Sequence, residues 1–389
     1  MLTAVGVTEI RPQRIADALE IDLNLARKLT GVVQTSDRFA AGRDLPGLSG
    51  MKILGRAASS MGVSDDIVGR LERATTAYHE LTRVYAGDRA SLDSMLGHLA
   101  TSGTERNDLA VRRQSFRSNS SIFGVQTRIQ TDTMIVMPSM VMGDAADVAL
   151  VRGFSDFQRL ANGRNWIISR SNLVTRDPNR AFESHREALD PESRDEHKVP
   201  LLTEFCDLPL PCCRRVVLPS GAVQDVLTGA EVGLRGRTTL FTSEVVRPAF
   251  IWPDQQRHDY RVAPRCHTPA EIMLVDVLAH PETPLAAEPD FFITSEIDGS
   301  DSNYMSSDDL MRLPVCESLE QREASADALM FPDFPRYADA VLRATEFVGL
   351  DINELVMRRL VVRYPPMPSM MFLHWVYDPS SSTKLGQTP

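Results

Sequence analysis

The chain has 389 residues, with 43% apolar and 24% charged side chains, which suits a folded protein of two or three domains and excludes a wholly disordered chain. Its net charge of −10 argues against a protein that coats nucleic acid along its length, though not against one small DNA-reading module. No apolar run approaches the ~18 residues of a membrane-spanning helix. No basic-then-apolar leader opens the chain, so a cytoplasmic location is expected.

The first third reads as helices. Arg14 to Glu20 and Leu23 to Thr30 are short helical patterns, followed by a loop containing Gly42, Pro46, Gly47 and Gly50. Met51 to Met61 is helical again and Gly62 ends it. Ser64 is a good N-cap, and Asp65 and Asp66 lie in a first turn, where the helix dipole favours carboxylates. Ile67, Leu71, Ala74, Tyr78, Leu81 and Tyr85 then recur at three- and four-residue steps, the apolar face of one long helix stopped by Gly87. That stripe is close to heptad spacing, so a homodimer seam is one expectation and packing within its own domain the other. Ser91 to Leu99 suits a further short helix. Thr101 to Asp108 reads as a linker or loop, and a basic helical piece with Arg112, Arg113 and Arg117 follows.

After about residue 120 the texture changes. Val125 to Met137, Asn165 to Ser169, Val216 to Leu218, Val223 to Leu227, Thr238 to Val246 and Phe250 to Trp252 are short β-branched or aromatic runs divided by Gly and Pro, the pattern of an antiparallel sheet or barrel. Asp177 to Pro200 is highly charged and reads as an exposed loop with a helical turn. Thr268 to Ala279 carries the signature of a helix start, with Thr268 as cap, Pro269 at the first position and Glu271 completing a capping box. Asp298 to Asp309 reads as a loop. Tyr337 to Val348 is an amphipathic helix stopped by Gly349. Arg359 to Tyr364 and Met370 to Tyr377 read as strands around a proline-rich connection.

The expected fold class is therefore α+β. A helical N-terminal domain covers residues 1–117 with a net charge of +2, and a larger mixed, β-rich domain covers 120–389 with a net charge of −12.

Within the helical part, Ile15, Ala16, Leu19, Ile21, Asp22, Ala26 and Leu29 form a pattern with a physical rationale. Two helices meeting steeply need a small residue at their crossing, here Ala16. Leu19, Ile21, Ala26 and Leu29 sit where a corner must be locked, and Asp22 can cap the second helix. The segment resembles the helix-turn-helix of bacterial transcription regulators. The resemblance covers at most about 60 residues and implies a regulator that reads double-stranded DNA through the major groove, with Asn24, Arg27 and Lys28 facing the bases and phosphates. Glu20 stands where that pattern has glycine, and Ala26 where it has Val or Ile. A left-handed Glu20 would cost roughly 1 kcal/mol relative to glycine.

A second segment, Ala58, Gly62, Val63, Val68 and Leu71, fits the same pattern. Its second helix opens on Asp65 and Asp66, which repel phosphate, so it reads as a structural pair. Arg106, Arg112, Arg113, Arg117 and Arg128 are candidates for phosphate contact, against the plainer reading of a solvated helix face. The alternative to DNA binding is a structural or interaction protein.

Other chemistry finds little footing. Cys206, Cys212, Cys213, Cys266 and Cys316 lack paired-ligand spacing, H-E-x-x-H is absent, and no metal or cofactor is expected. The Asp298 to Asn303 loop offers oxygen ligands without the EF-hand glycine and glutamate. G-x-S-x-G and the phosphate-loop patterns are missing. Lysine occurs only at 28, 52, 198 and 384, which leaves few donors for amine chemistry. No catalytic residue is expected. Trp166, Trp252, Trp375, Phe291, Phe292 and Phe372 are read as core in preference to a pocket lining.

Overall fold

The computed structural model describes residues 2–99, 104–172, 174–176, 183–251, 258–296, 312–313 and 317–377. Trp252, Cys316, the Asp298 to Asn303 loop and the side chain of Arg106 lie outside the described residues. The chain divides into two compact units, residues 1–110 and 111–389. The class is α+β: a helical region is followed by a larger mixed β-sheet domain.

The first unit contains α1 (Pro12–Leu19), α2 (Leu23–Gln34), α3 (Arg38–Asp44), α4 (Leu48–Ser60), α5 (Asp65–Leu81) and α6 (Arg89–Leu99). A π-helical turn, Thr82–Ala86, follows α5 and ends at Gly87, whose φ of 80° suits glycine. The core is small. Ile15, Ala16 and Leu19 of α1 pack with Ala26 and Leu29 of α2 and Leu54 of α4. None of the residues of α5 falls in the buried class, although its sequence pattern is amphipathic.

The unit boundary falls within α7 (Thr104–Phe123), so the stretch read as a linker ends inside this helix. In the second unit, the main sheet is formed by β1 (Val125–Pro138), β2 (Ala145–Arg159), β4 (Val174–Arg176), β5 (Glu183–Ala188), β8 (Thr238–Ile251), β11 (Ala270–Ala279), β13 (Glu320–Glu323) and β14 (Val356–Arg363). Their order is β13-β14-β11-β1-β2-β8-β5-β4. The β1–β11 pair is parallel and the others are antiparallel, so the sheet is mixed where the sequence suggested an antiparallel one.

Each face of this sheet is covered. Ile129 and Ile135 of β1, Val151 of β2 and Leu274 and Leu278 of β11 pack on α8 (Arg336–Val348) through Tyr337, Ala340, Val341 and Ala344. Alternate residues point the other way. Met134, Val136, Met273, Val275 and Val277 meet Met371, Leu373 and Trp375 of β15 (Ser369–Tyr377). That strand lies in a small sheet with β10 (Arg265–Cys266), β9 (His258–Val262) and β12 (Asp290–Ser295). A third sheet joins β3 (Trp166–Asn172), β7 (Ala222–Leu227) and β6 (Cys213–Val217).

The 268–279 segment, expected to be a helix, is strand β11. Its side chains alternate between two buried layers, so neither face is polar, and a strand covered on both sides reads as a continuous apolar run. The capping signals have other uses. Thr268 is buried and accepts the Trp166 indole N–H at 2.9 Å, and the Glu271 carbonyl accepts the Tyr364 amide. Strand β5 lies within the charged stretch read as an exposed loop. One of its charges, Arg186, pairs with the buried Glu244 of β8 at 2.7 Å.

Among the described residues, no helix is long and apolar enough to cross a membrane.

Candidate nucleic-acid interface

Helix α1 starts with Pro12 at its first position and ends at Glu20, whose φ of 51° and ψ of 44° are left-handed. The Ile21 amide returns to the Ala16 carbonyl at 3.1 Å and closes the turn. Asp22 is extended and accepts the Asn24 amide at 2.8 Å, capping α2. Ala16, Leu19, Ala26 and Leu29 are buried at the corner, and Ile21 packs against them.

The outward face of α2 carries Asn24, Arg27 and Lys28, all exposed. Arg27 Nη1 donates to Asn24 Oδ1 at 3.2 Å, so the two are held side by side one helical turn apart. Such a pair presents two types suited to base edges, while Lys28 carries a mobile charge suited to phosphate.

The left-handed conformation at Glu20 has a measurable consequence. Glu20→Gly relieves a φ that non-glycine residues adopt at a cost, and is expected to stabilise the corner by about 1 kcal/mol. Hydrogen exchange of the amides in 12–34 should slow by about fivefold. Faster exchange would mean that the Glu20 side chain supports the turn.

The second corner has the same backbone logic. Met61 and Gly62 follow α4, Gly62 has φ 74°, and the Val63 amide returns to the Ala58 carbonyl at 3.1 Å. Ala58 and Val63 are buried as Ala16 is. Residues 16, 20 and 21 thus correspond in backbone role to 58, 62 and 63. The helix that follows differs in charge, since α5 opens on Asp65 and Asp66. An acidic first turn repels phosphate, whereas the first turn of α2 holds no acidic residue.

The basic piece of α7 is placed differently from α2. Arg112 is 11% exposed and its Nη1 donates to Glu317 Oε1 at 2.7 Å, an ion pair within the second unit that removes it from the set of open phosphate contacts. Arg113 lies over the Tyr364 ring at 5.8 Å, and Arg117 is exposed. Arg128 pairs with Asp333 at 2.9 Å and with Asp156 at 3.8 Å. Sequence spacing alone could not reveal these partners, because Glu317 and Asp333 each lie 205 residues from the arginine they hold.

The described cysteines are free, and burial pushes the Cys206 thiol up to about 11 and Cys213 and Cys266 up to about 12. None of these three is a ready thiolate at neutral pH. Among the described residues, no group of three or more His, Cys, Asp or Glu side chains is arranged to hold a metal ion.

No family model matches the chain, and no curated protein matches it significantly. Among solved structures, it is similar to a chain from Parabacteroides distasonis described as "a putative protease", at 9% identity and a TM-score of 0.27. The match covers 65% of this chain and 40% of the other, so the chain spans less than half the length of that protein. A likeness this weak carries no argument about function.

Proposed function

We propose that the protein is a DNA-binding transcriptional regulator that reads the major groove through α2, with Asn24 and Arg27 facing base edges and Lys28 facing phosphate. The supporting observation is the corner itself: a left-handed turn at Glu20, a side-chain cap at Asp22, and a buried Ala16, Leu19, Ala26 and Leu29 lock beneath an exposed Asn24, Arg27 and Lys28. The acidic remainder of the chain weakens nonspecific attraction and leaves recognition to this small surface.

The reading includes a homodimer. Leu81 of α5 and Val84 and Tyr85 of the turn after it are exposed large apolar side chains, and they favour association of two copies on a two-fold operator.

Selection of full-length protein on a pool of duplex fragments, followed by sequencing, tests the reading. Enrichment of one short, two-fold motif bound by two copies is expected. On that motif, Arg27→Ala with Lys28→Ala should weaken binding by about a hundredfold at moderate salt and reduce the slope of log K against log salt by about 1–2. No enrichment at low salt, or an unchanged affinity and slope in the double variant, would overturn it.

A further inference from the structure

The second unit contains a cavity of about 620 Å³ whose lining differs from the rest of the core. Its floor is the β1–β2 pair, where Gln130 faces Phe154 and Asp132 faces Arg152 across the strands. Strand β3 supplies Trp166, Ile168 and Arg170, and the segment before β11 supplies Arg265 and His267. The volume lies within the roughly 300–1,000 Å³ of small-molecule sites.

The polar groups divide into two sets. Most are already engaged. Arg152 bridges Asp132 at 3.4 Å and Glu244 at 3.2 Å. His267 is hydrogen bonded to Glu296, and Arg265 approaches the same carboxylate at 3.5 Å. Two unspent lining groups stand out by charge and burial. Arg170 is exposed and has no ion-pair or hydrogen-bond partner among the described residues. Gln130 is 9% exposed, its Nε2 donates to the Arg265 carbonyl at 2.9 Å, and its Oε1 is buried without a hydrogen-bond partner among the described residues. A buried amide oxygen left unpaired costs about 1–3 kcal/mol, which a ligand donor would recover.

The aromatic wall is fixed in place. The Trp166 indole is held by Thr268 at 2.9 Å, and Phe123 meets its edge with ring centroids 6.0 Å apart. Phe154, Ile168, Met367 and Pro368 complete an apolar surface suited to a planar ring. Asp132, Glu244 and Glu296 engage Arg152 and Arg265, which leaves Arg170 as the open lining charge, and an anion is favoured beside it.

We infer that this cavity is a binding site for a small aromatic carboxylate that also carries a hydrogen-bond donor. The ring lies along Trp166, the carboxylate meets Arg170, and the donor reaches Gln130 Oε1. The inference rests on the second unit alone and stands whether or not α2 binds DNA.

The test uses the full chain and fluorescence anisotropy of 6-hydroxy-2-naphthoate, which has a planar ring, a carboxylate and a phenolic donor. Saturable binding is expected at up to millimolar probe. Its neutral analogue, 6-hydroxy-2-naphthamide, should compete about tenfold more weakly, and 2-naphthoate, which lacks the donor, about fivefold more weakly. Arg170→Ala should weaken the probe by about tenfold, whereas Arg322→Ala, an exposed arginine paired with Glu320 outside the cavity, should leave it unchanged. Because Arg170 is exposed, its removal does not threaten the fold, and unchanged circular dichroism verifies this. The inference is overturned by absence of saturable binding, by equal affinity for acid and amide, or by an Arg170→Ala protein that binds as the parent does.

Discussion

Arg359→Met should destabilise the second unit by about 4 kcal/mol, the scale for stripping one partner from a buried ion pair. Arg359 is 2% exposed and Asp276 is fully buried. Arg359 Nη2 donates to Asp276 Oδ2 at 2.6 Å and Nε to Oδ1 at 2.9 Å. The same guanidinium donates to the carbonyls of Leu329 and Met330, and Tyr337 donates to Asp276 Oδ2 at 2.5 Å while meeting Thr133 at 2.7 Å. Methionine fills most of the volume but leaves a carboxylate in the core with one remaining donor. Denaturant unfolding followed by Trp375, which is 2% exposed, reads the change. Combining Arg359→Met with Asp276→Leu should recover more than half of the loss, because the uncompensated charge has gone. A single-variant cost below about 1 kcal/mol would show that water or a neighbouring group satisfies Asp276 once the arginine is removed.

The second large effect belongs to Glu244, on the opposite face of the main sheet. Its carboxylate is 7% exposed on the side chain and holds Arg186 at 2.7 Å and Arg152 at 3.2 Å. Burial by itself would raise its pKa, but Arg186, Arg152 and Arg215 together outweigh that and hold it below the usual glutamate range. A depressed carboxylate contributes stability above its unfolded value of about 4.3, and the contribution disappears as pH falls through the lower, folded value. Glu244→Gln should therefore cost about 3 kcal/mol near pH 7, and the difference from the parent should shrink steadily below about pH 4.3. Unfolding free energies measured from pH 7 down to pH 3 supply the check. A gap that stays constant across that range would assign the loss to packing instead of charge.

Asp132 and Asp225 shift in the other direction, raised by burial despite the arginines beside them, so their ionised forms oppose folding at neutral pH. The Glu244→Gln comparison isolates one carboxylate from that background. It also bears on the cavity, since Arg152 is oriented by both Glu244 and Asp132.

Local signals were legible where one residue does one job. Asp22 caps α2, Gly62 and Gly87 end helical segments with positive φ, and Gly349 stops α8 with φ 75°. The alternating run of β1 was likewise readable, because period-two patterning is a property of the chain itself. The α2 face was readable for the same reason: Asn24, Arg27 and Lys28 are separated from Ala26 and Leu29 by helical geometry alone.

The features that required the tertiary structure are those whose cause lies far away in the chain. Strand β11 looked helical because its capping residues are local while the layers burying both its faces come from residues 129–151, 337–344 and 371–375. The role of Arg112 turns on Glu317 and that of Arg359 on Asp276, and ion pairs across such separations have no periodicity to betray them. The cavity is likewise assembled from the end of α7, from β1, β2, β3 and β10 and from the loops beside them, so Trp166 read as core when it stood alone. The chain by itself marked individual helix ends, at Asp22, Gly62, Gly87 and Gly349, and the helix that presents a basic, polar face. Only the folded sheet decided which charges are spent inside the protein and which, as at Arg170 and Gln130, remain for something else to meet, because that depends on neighbours brought together by long-range pairing.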